Sequence, residues 1–153
     1  MIQIEQPIRK LPPNDTYRIL MLENPDNIKK LKEACKRAGH EVVPALTIEQ
    51  AMAFLETKDH VDVIVAAAHL ENESVFEFLK RVKAADSHLI DVPFMMLCVE
   101  PGILGLLTSP AVEIAATVVG ADQYLLMTEF DAERLMQEIE PLLPPIPRKE
   151  LDS

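Results

Sequence analysis

Residues 17–22 read YRILML, an almost continuous apolar run of the length and composition of a β-strand that is buried on both faces. After this run the apolar residues are no longer continuous but recur every three or four positions, as on one face of a helix. They are Ile28, Leu31, Cys35 and Ala38. Gly39 follows them, where helices often end on a glycine in the left-handed conformation. Together these segments predict one strand–helix unit.

The same alternation continues along the chain. The second predicted helix opens at Thr47, which forms a capping box with Gln50. The fourth opens at Ser109, with Pro110 as its first helical residue, and the last opens at Asp131. The remaining strand candidates are residues 41–44, 61–66, 93–99 and 123–126. Five strands alternating with five helices predict a parallel sheet with helices on both faces, whose functional residues follow the strands.

Composition excludes several classes of function. The 153 residues hold 25 acidic and 15 basic side chains, a formal charge of −10, which repels nucleic acid and anionic membrane surfaces. A hydrophobic fraction of 48% argues against a disordered acidic chain. Two cysteines are too few for a disulfide framework. We therefore expect a folded acidic protein that binds neither nucleic acid nor membrane.

The two ends of the chain and its longest apolar run indicate where in the cell the protein is found. Residues 1–16 predict an extended lead-in, and the proline-rich residues 144–153 predict a stiff tail. The chain opens without a charged and then apolar leader. Its longest apolar run, residues 103–107, is interrupted by Gly105 and is far shorter than a membrane span. These features favour a cytoplasmic protein.

Four stretches resemble the two-component response-regulator receiver domain over residues 17–143. Residues 120–125 (GADQYL), followed by Glu129-Phe130-Asp131, are similar to that family's Gly-Ala-Asp-x-Tyr-Leu-x-Lys-Pro-Phe segment. Residues 19–25 (ILMLENP) resemble its first strand with the acidic pair that follows, and residues 61–70 and 93–98 resemble its third and fourth strands. The resemblance implies a flavodoxin-like three-layer sandwich with strand order 2-1-3-4-5 and five helices.

Receivers accept a phosphoryl group on an aspartate after the third strand, beside a Mg²⁺ ion that the acidic pair helps to hold. A hydroxyl after the fourth strand and a lysine after the fifth bind the phosphoryl oxygens. In this chain the acidic pair matches Glu23 and Asn24, the acceptor matches Ala67, the hydroxyl matches Cys98 and the lysine matches Met127.

The resemblance therefore implies a pseudo-receiver. Alanine offers no nucleophile, a single carboxylate is too few for octahedral Mg²⁺, and methionine carries no charge. We expect no catalytic residue, metal or cofactor, and no enzyme activity. Ala67, Cys98 and Met127 further suggest an apolar, filled pocket, in which Cys98 is a small buried hydrophobic residue.

Two features indicate a binding surface. Tyr124 matches the aromatic residue that changes rotamer in active receivers, so it either belongs to a partner-binding face or is simply packed in a half-buried strand. The apolar segment before the fourth helix has two interpretations as well. It docks a partner or a second copy, or it forms a short extra helical turn folded onto the core. Its large side chains are Ile103, Leu104, Leu106 and Leu107.

The predicted function is a phosphorylation-independent signalling adaptor of bacterial two-component type. It binds a histidine kinase, another signalling protein or a second copy through its fourth helix, fifth strand and fifth helix. One alternative is a receiver that accepts phosphate unconventionally, with His69, Glu71 and Glu73 near the right end of the sheet and Asp62 at the wrong end. The other is a small flavodoxin-like ligand binder.

Overall fold

A computed structural model describes residues 16–100 and 102–143. The expected lead-in and tail lie outside these residues, apart from Thr16. One sheet runs through the molecule in the order β2-β1-β3-β4-β5, and all of its pairings are parallel. Its strands are β1 (Arg18–Leu22), β2 (Glu41–Ala45), β3 (Val63–Ala67), β4 (Phe94–Val99) and β5 (Gln123–Met127). The predicted fold class and strand order are confirmed.

Helices cover both faces of the sheet. They are α1 (Pro25–Ala38), α2 (Ile48–Leu55), α3 (Val75–Val82), α4 (Gly102–Val119) and α5 (Ala132–Ile139), with a short 3-10 turn at Glu140–Leu142. One apolar cluster joins α1 and α5 to the sheet, and a second joins α2, α3 and α4 to its other face. The result is a three-layer sandwich.

The central strand β1 explains why the apolar run decides the fold. Ile19 and Met21 pack on the side of α1 and α5, whereas Leu20 and Leu22 pack on the side of α2 and α3. All four side chains are fully buried. Because both faces of a parallel sheet are covered, its central strands are apolar at every position rather than at alternate ones.

Polar caps fix the starts of two helices where the sequence predicts them. The Thr47 hydroxyl accepts the Gln50 N–H at 3.1 Å at the start of α2, and the Asp131 carboxylate accepts the Arg134 N–H at 3.1 Å at the start of α5. Gly39 ends α1 at φ +82°, a conformation that favours glycine. These predicted boundaries are confirmed.

The predicted third strand is wrong at its start. Residues 61–66 were expected, but β3 begins at Val63 and ends at Ala67. Asp62 instead turns its carboxylate to the amino edge of the sheet, where it accepts the Arg18 N–H at 2.8 Å and contacts the His60 ring. Asp62 therefore lies at the opposite edge from the strand carboxyl ends, as predicted.

The predicted start of the fourth helix is also wrong. Helix α4 begins at Gly102 rather than after Ser109, and Pro110 lies inside it. Leucine favours helices, so the apolar segment continues the helix. The Thr108 hydroxyl donates to the Leu104 carbonyl at 3.1 Å within it. This segment is not a turn folded onto the core, because its large side chains are exposed.

Helix α4 has an unusual composition for the surface of a domain. Within the described part of the chain it is the one helix whose length and apolarity, taken alone, suffice to cross a membrane, with a mean hydropathy of 1.7. The shortness of residues 103–107 therefore no longer argues against a span. Only Ser109 and Ala116 of its eighteen residues are buried.

Candidate functional site

The predicted site residues meet at the carboxyl edge of the sheet. Parallel pairing places Leu22 beside Ala66, Ala67 beside Leu97, and Val99 beside Met127. Strands β1, β3, β4 and β5 consequently end side by side, and the residues that follow them share one edge. This is the edge at which α/β sheets bind ligands.

Glu23 is a buried carboxylate at this edge. Its backbone N–H donates to the Ala45 carbonyl at 3.2 Å, and its carboxylate accepts the Asn24 N–H at 2.9 Å. Burial raises the pKa of the Glu23 carboxyl above its ordinary value, while the bonds from Asn24 and from the Asn27 side chain act in the opposite direction. Asn24 and Asn27 thus hold the Glu23 side chain in place.

Asn24 has a structural role that its position next to Glu23 does not reveal. Its side-chain oxygen accepts the Asn27 N–H at 2.8 Å and caps the N-terminus of α1. The following residue, Pro25, is the first of the helix, where its missing N–H costs nothing. Asn24 therefore acts as a helix cap at the boundary of the site.

A cavity of about 420 Å³ lies over Ala67. The expectation of a filled, apolar pocket is wrong, because polar side chains surround it. Ala67 lies at the floor of the cavity, and 5% of its surface is exposed. The lining also includes Glu23, Asn24, Asp26, Asn27, Lys30, His69, Leu97, Val99 and Glu100.

Cys98 and Met127 do not line this cavity. Met127 is buried in the apolar cluster of α1 and α5, and its carbonyl accepts the Glu100 N–H at 2.8 Å. Glu100 adopts φ +52°, so the chain turns sharply at the end of β4. Cys98 is buried and points towards the Tyr124 hydroxyl instead. The five predicted site positions therefore separate into one group at the cavity and one beneath it.

Tyr124 is half-buried and turned inward. Its hydroxyl lies 3.0 Å from the Ser109 hydroxyl on α4, with the Cys98 thiol as a further partner. Burial is the main cause that raises the pKa of Tyr124, and Cys98 and Glu113 add to it, whereas the Ser109 bond lowers it. The tyrosine thereby ties β5 to α4, so it is packed in the described structure rather than offered to solvent.

Sequence reasoning missed three cavity residues of α1, Asp26, Asn27 and Lys30. Asn27 and Lys30 lie in the first and second turns of α1, on the side of the helix that faces the cavity. Asn27 and Lys30 follow Asn24 by three and six residues. This helical spacing places them on the same side of α1 as the end of β1, and it is the one signal in the sequence that could have identified them. Lys30 supplies a cation to the lining of the cavity, whereas the receiver pattern places its lysine after β5.

The described residues contain no group of three or more His, Cys, Asp or Glu side chains that could hold a metal ion. Glu71 is exposed, and Glu73 accepts the Ile48 N–H at 3.1 Å, away from the cavity. Of the three residues predicted beyond Ala67, His69 alone lines the cavity.

No protein-family model and no curated protein matches the chain. Solved structures do. The chemotaxis response regulator CheY4 of Vibrio cholerae has a TM-score of 0.68 and 22% identity, and the match covers 84% of this chain and 99% of that one. This chain has the receiver-domain fold.

Two further structures support this conclusion. A two-component response regulator from Clostridium difficile has a TM-score of 0.68 and 18% identity, covering 83% of this chain and 95% of that one. The beryllofluoride-activated NtrC4 receiver domain, solved as a dimer, has a TM-score of 0.66 and 17% identity, covering 82% and 95%.

Proposed function

We propose that this chain is a regulatory module of two-component type that acts by protein association and does not accept a phosphoryl group. The observation that carries the proposal is Ala67, which ends β3 at the floor of the cavity and supplies no nucleophile there. In receivers the phosphoryl group is accepted on an aspartate after the third strand, the position that Ala67 resembles. Cys98, Met127 and the capping role of Asn24 support the same conclusion, because none of them faces the cavity with a charge.

A phosphoryl donor tests the first half of the proposal. The protein is incubated with Mg²⁺ and acetyl phosphate, and its intact mass is measured promptly and again after brief acid treatment. We expect no gain in mass. A gain of one phosphoryl group contradicts the proposal, and its loss in His69→Ala would assign acceptance to the one histidine that lines the cavity.

The surface of α4 supports association. Among the described residues, six of the eight exposed large hydrophobic side chains belong to this helix. They are Ile103, Leu104, Leu106, Leu107, Ile114 and Val118. Contiguous exposed apolar surface of this kind marks interaction sites in soluble proteins. Tyr124 lies behind this surface and holds α4 through Ser109.

Affinity capture tests the second half. The tagged full chain is used to retain partners from the native extract, and Leu107→Lys is compared with Leu46→Lys. Both leucines are exposed, but Leu46 lies between β2 and α2, away from α4. We expect Leu107→Lys to lose a partner that Leu46→Lys keeps. Equal capture by both variants contradicts association through α4.

A further inference from the structure

The outer face of α4 carries a regular apolar stripe, which we call the α4 seam. It consists of Leu104, Leu107, Ala111, Ile114 and Val118, spaced by three, four, three and four residues. The four large side chains are 73%, 74%, 66% and 79% exposed, and Ala111 is exposed as well. Alternating steps of three and four are the spacing by which one α-helix packs along another.

The seam points directly away from the core. At about 100° per residue, its five residues fall within an arc of about 80° on the helix surface. The two buried residues of α4, Ser109 and Ala116, lie on the opposite side. Ser109 and Ala116, with the half-buried Val112 and Val119, face the core, and the seam is left for an external partner.

The seam is also free of charge. Glu113 is the one charged residue of α4, and its position on the helical wheel is far from the seam. The positions that flank the seam are uncharged, namely Thr108, Pro110, Ala115 and Thr117. In a chain of net charge −10, this face is one on which two copies meet without opposing like charges.

The seam reads nearly the same in both directions. Ala111 is its midpoint, Leu107 and Ile114 lie one step to either side, and Leu104 and Val118 lie seven residues to either side. A two-fold axis requires such self-complementarity, because the same patch must serve both copies. The alanine at the midpoint lets two helix backbones approach closely.

We propose that a second copy of this chain covers the α4 seam, with the two α4 helices packed antiparallel about a two-fold axis at Ala111. This inference rests on the proposed function only in that both use α4 for association. A bilayer surface fits less well, because helices that lie on membranes carry basic residues on their polar face and α4 has no lysine or arginine.

The size of the seam sets the expected strength of the dimer. An 18-residue helix is about 27 Å long and contributes less than the roughly 800 Å² per partner of a standard interface. We therefore expect a weak, reversible dimer, whose share of the chains falls as the protein is diluted.

Sedimentation velocity of the full chain over a range of concentrations tests the proposal. We expect a monomer–dimer equilibrium that Leu107→Lys shifts at least tenfold towards monomer. Leu106→Lys is the matched control, since it makes the same change of charge on the same helix, about 120° from the centre of the seam. Far-UV circular dichroism confirms that both variants fold. A monomer at every concentration up to millimolar, or equal weakening by both variants, overturns the proposal.

A cross-link tests the position of the axis. Only residues near a two-fold axis meet their own copy, so Ala111→Cys should be joined efficiently by a short bis-maleimide and Leu106→Cys should not. The native thiols of Cys35 and Cys98 are buried and leave the unmodified chain without cross-links. Equal cross-linking of the two variants overturns the antiparallel arrangement.

The outcomes separate this inference from the proposed function. A chain that stays monomeric, while Leu107→Lys loses a different protein in affinity capture, overturns the second copy and leaves the adaptor standing. A chain that dimerises through the seam and also gains a phosphoryl group supports the seam and overturns the adaptor. Vesicle binding that Leu107→Lys abolishes in a monomeric chain overturns the dimer in favour of a lipid surface.

Discussion

Helices α5 and α4 flank the same edge strand, β5, and use their side chains in opposite ways. Helix α5 buries Leu135, Met136 and Ile139 and exposes Glu133 and Arg134. Helix α4 buries Ser109 and Ala116 and exposes leucine, isoleucine and valine. An ordinary amphipathic helix follows the first pattern, because burying apolar area stabilises the fold.

The difference shows that the two helices meet different physical demands. The sequence of α5 is explained by the packing of this chain alone. The sequence of α4 is not, since its most apolar residues contribute little to the core in the described structure. A surface helix with this inverted pattern indicates an interface.

The largest effect is expected from truncating matched leucines. Leu135→Ala in α5 should lower the free energy of unfolding by about 2–5 kcal/mol, because Leu135 is fully buried and its removal leaves a cavity. Leu107→Ala in α4 should change it by less than about 0.5 kcal/mol in the monomer. Urea unfolding at a concentration too low for association measures both. Similar losses in the two variants would show that α4 packs against its own domain.

A smaller effect is expected at the polar contact that holds α4. Tyr124→Phe and Ser109→Ala each remove one hydroxyl of the 3.0 Å pair and should each cost about 0.5–1.5 kcal/mol. The double variant should cost less than the two losses added together, because each single change already breaks the same bond. Strict additivity in this cycle would mean that the bond does not contribute to anchoring α4.

The smallest effect concerns pH and the side of the sheet that α1 and α5 cover. Burial raises the pKa of Glu23 above its ordinary 4.5. Between the unfolded and the folded pKa, the carboxyl is therefore more protonated in the folded state than in the unfolded state. The Glu23 carboxyl thus makes stability fall with rising pH there. Glu23→Gln should gain stability relative to the unchanged protein between pH 4 and pH 7, as measured by urea unfolding across that range.

The matched control lies on the α4 side. The pKa of Tyr124 is raised from an ordinary value of 10.0, so Tyr124 stays neutral between pH 4 and pH 7. The difference in stability between Tyr124→Phe and the unchanged protein should therefore be flat over this range. A flat difference for Glu23→Gln as well would contradict the raised pKa of the carboxyl.

The sequence predicts the sheet well for a physical reason. A central parallel strand must be apolar at every position, and residues 17–22 satisfy this without reference to the rest of the chain. Helix caps are equally local, so Thr47 and Asp131 identify the starts of α2 and α5. Ser109 and Pro110 also have the sequence of a helix start, but α4 begins earlier, at Gly102. The residues before Ser109 favour helix themselves and extend α4 towards its N-terminus.

The cavity is less predictable because it depends on where each strand stops. Ala67 reaches the cavity, whereas Cys98 faces the α4 side and Met127 is covered by α1 and α5. These orientations follow from strand register, which a one-residue shift reverses. Lys30 reaches the cavity from α1 rather than from a strand end. Apart from its helical spacing from Asn24, nothing in the sequence indicates that it lines the cavity.

Pro110 has a consequence for the motion of α4. It has no N–H for the carbonyl one turn earlier, so it weakens the helix between the first turns and the part anchored by Ala116. From Gly102 to Thr108 no residue is buried, so few core contacts hold these turns in the helix. A partner that covers the seam is therefore expected to stabilise the helical conformation of these first turns as well as to bind them.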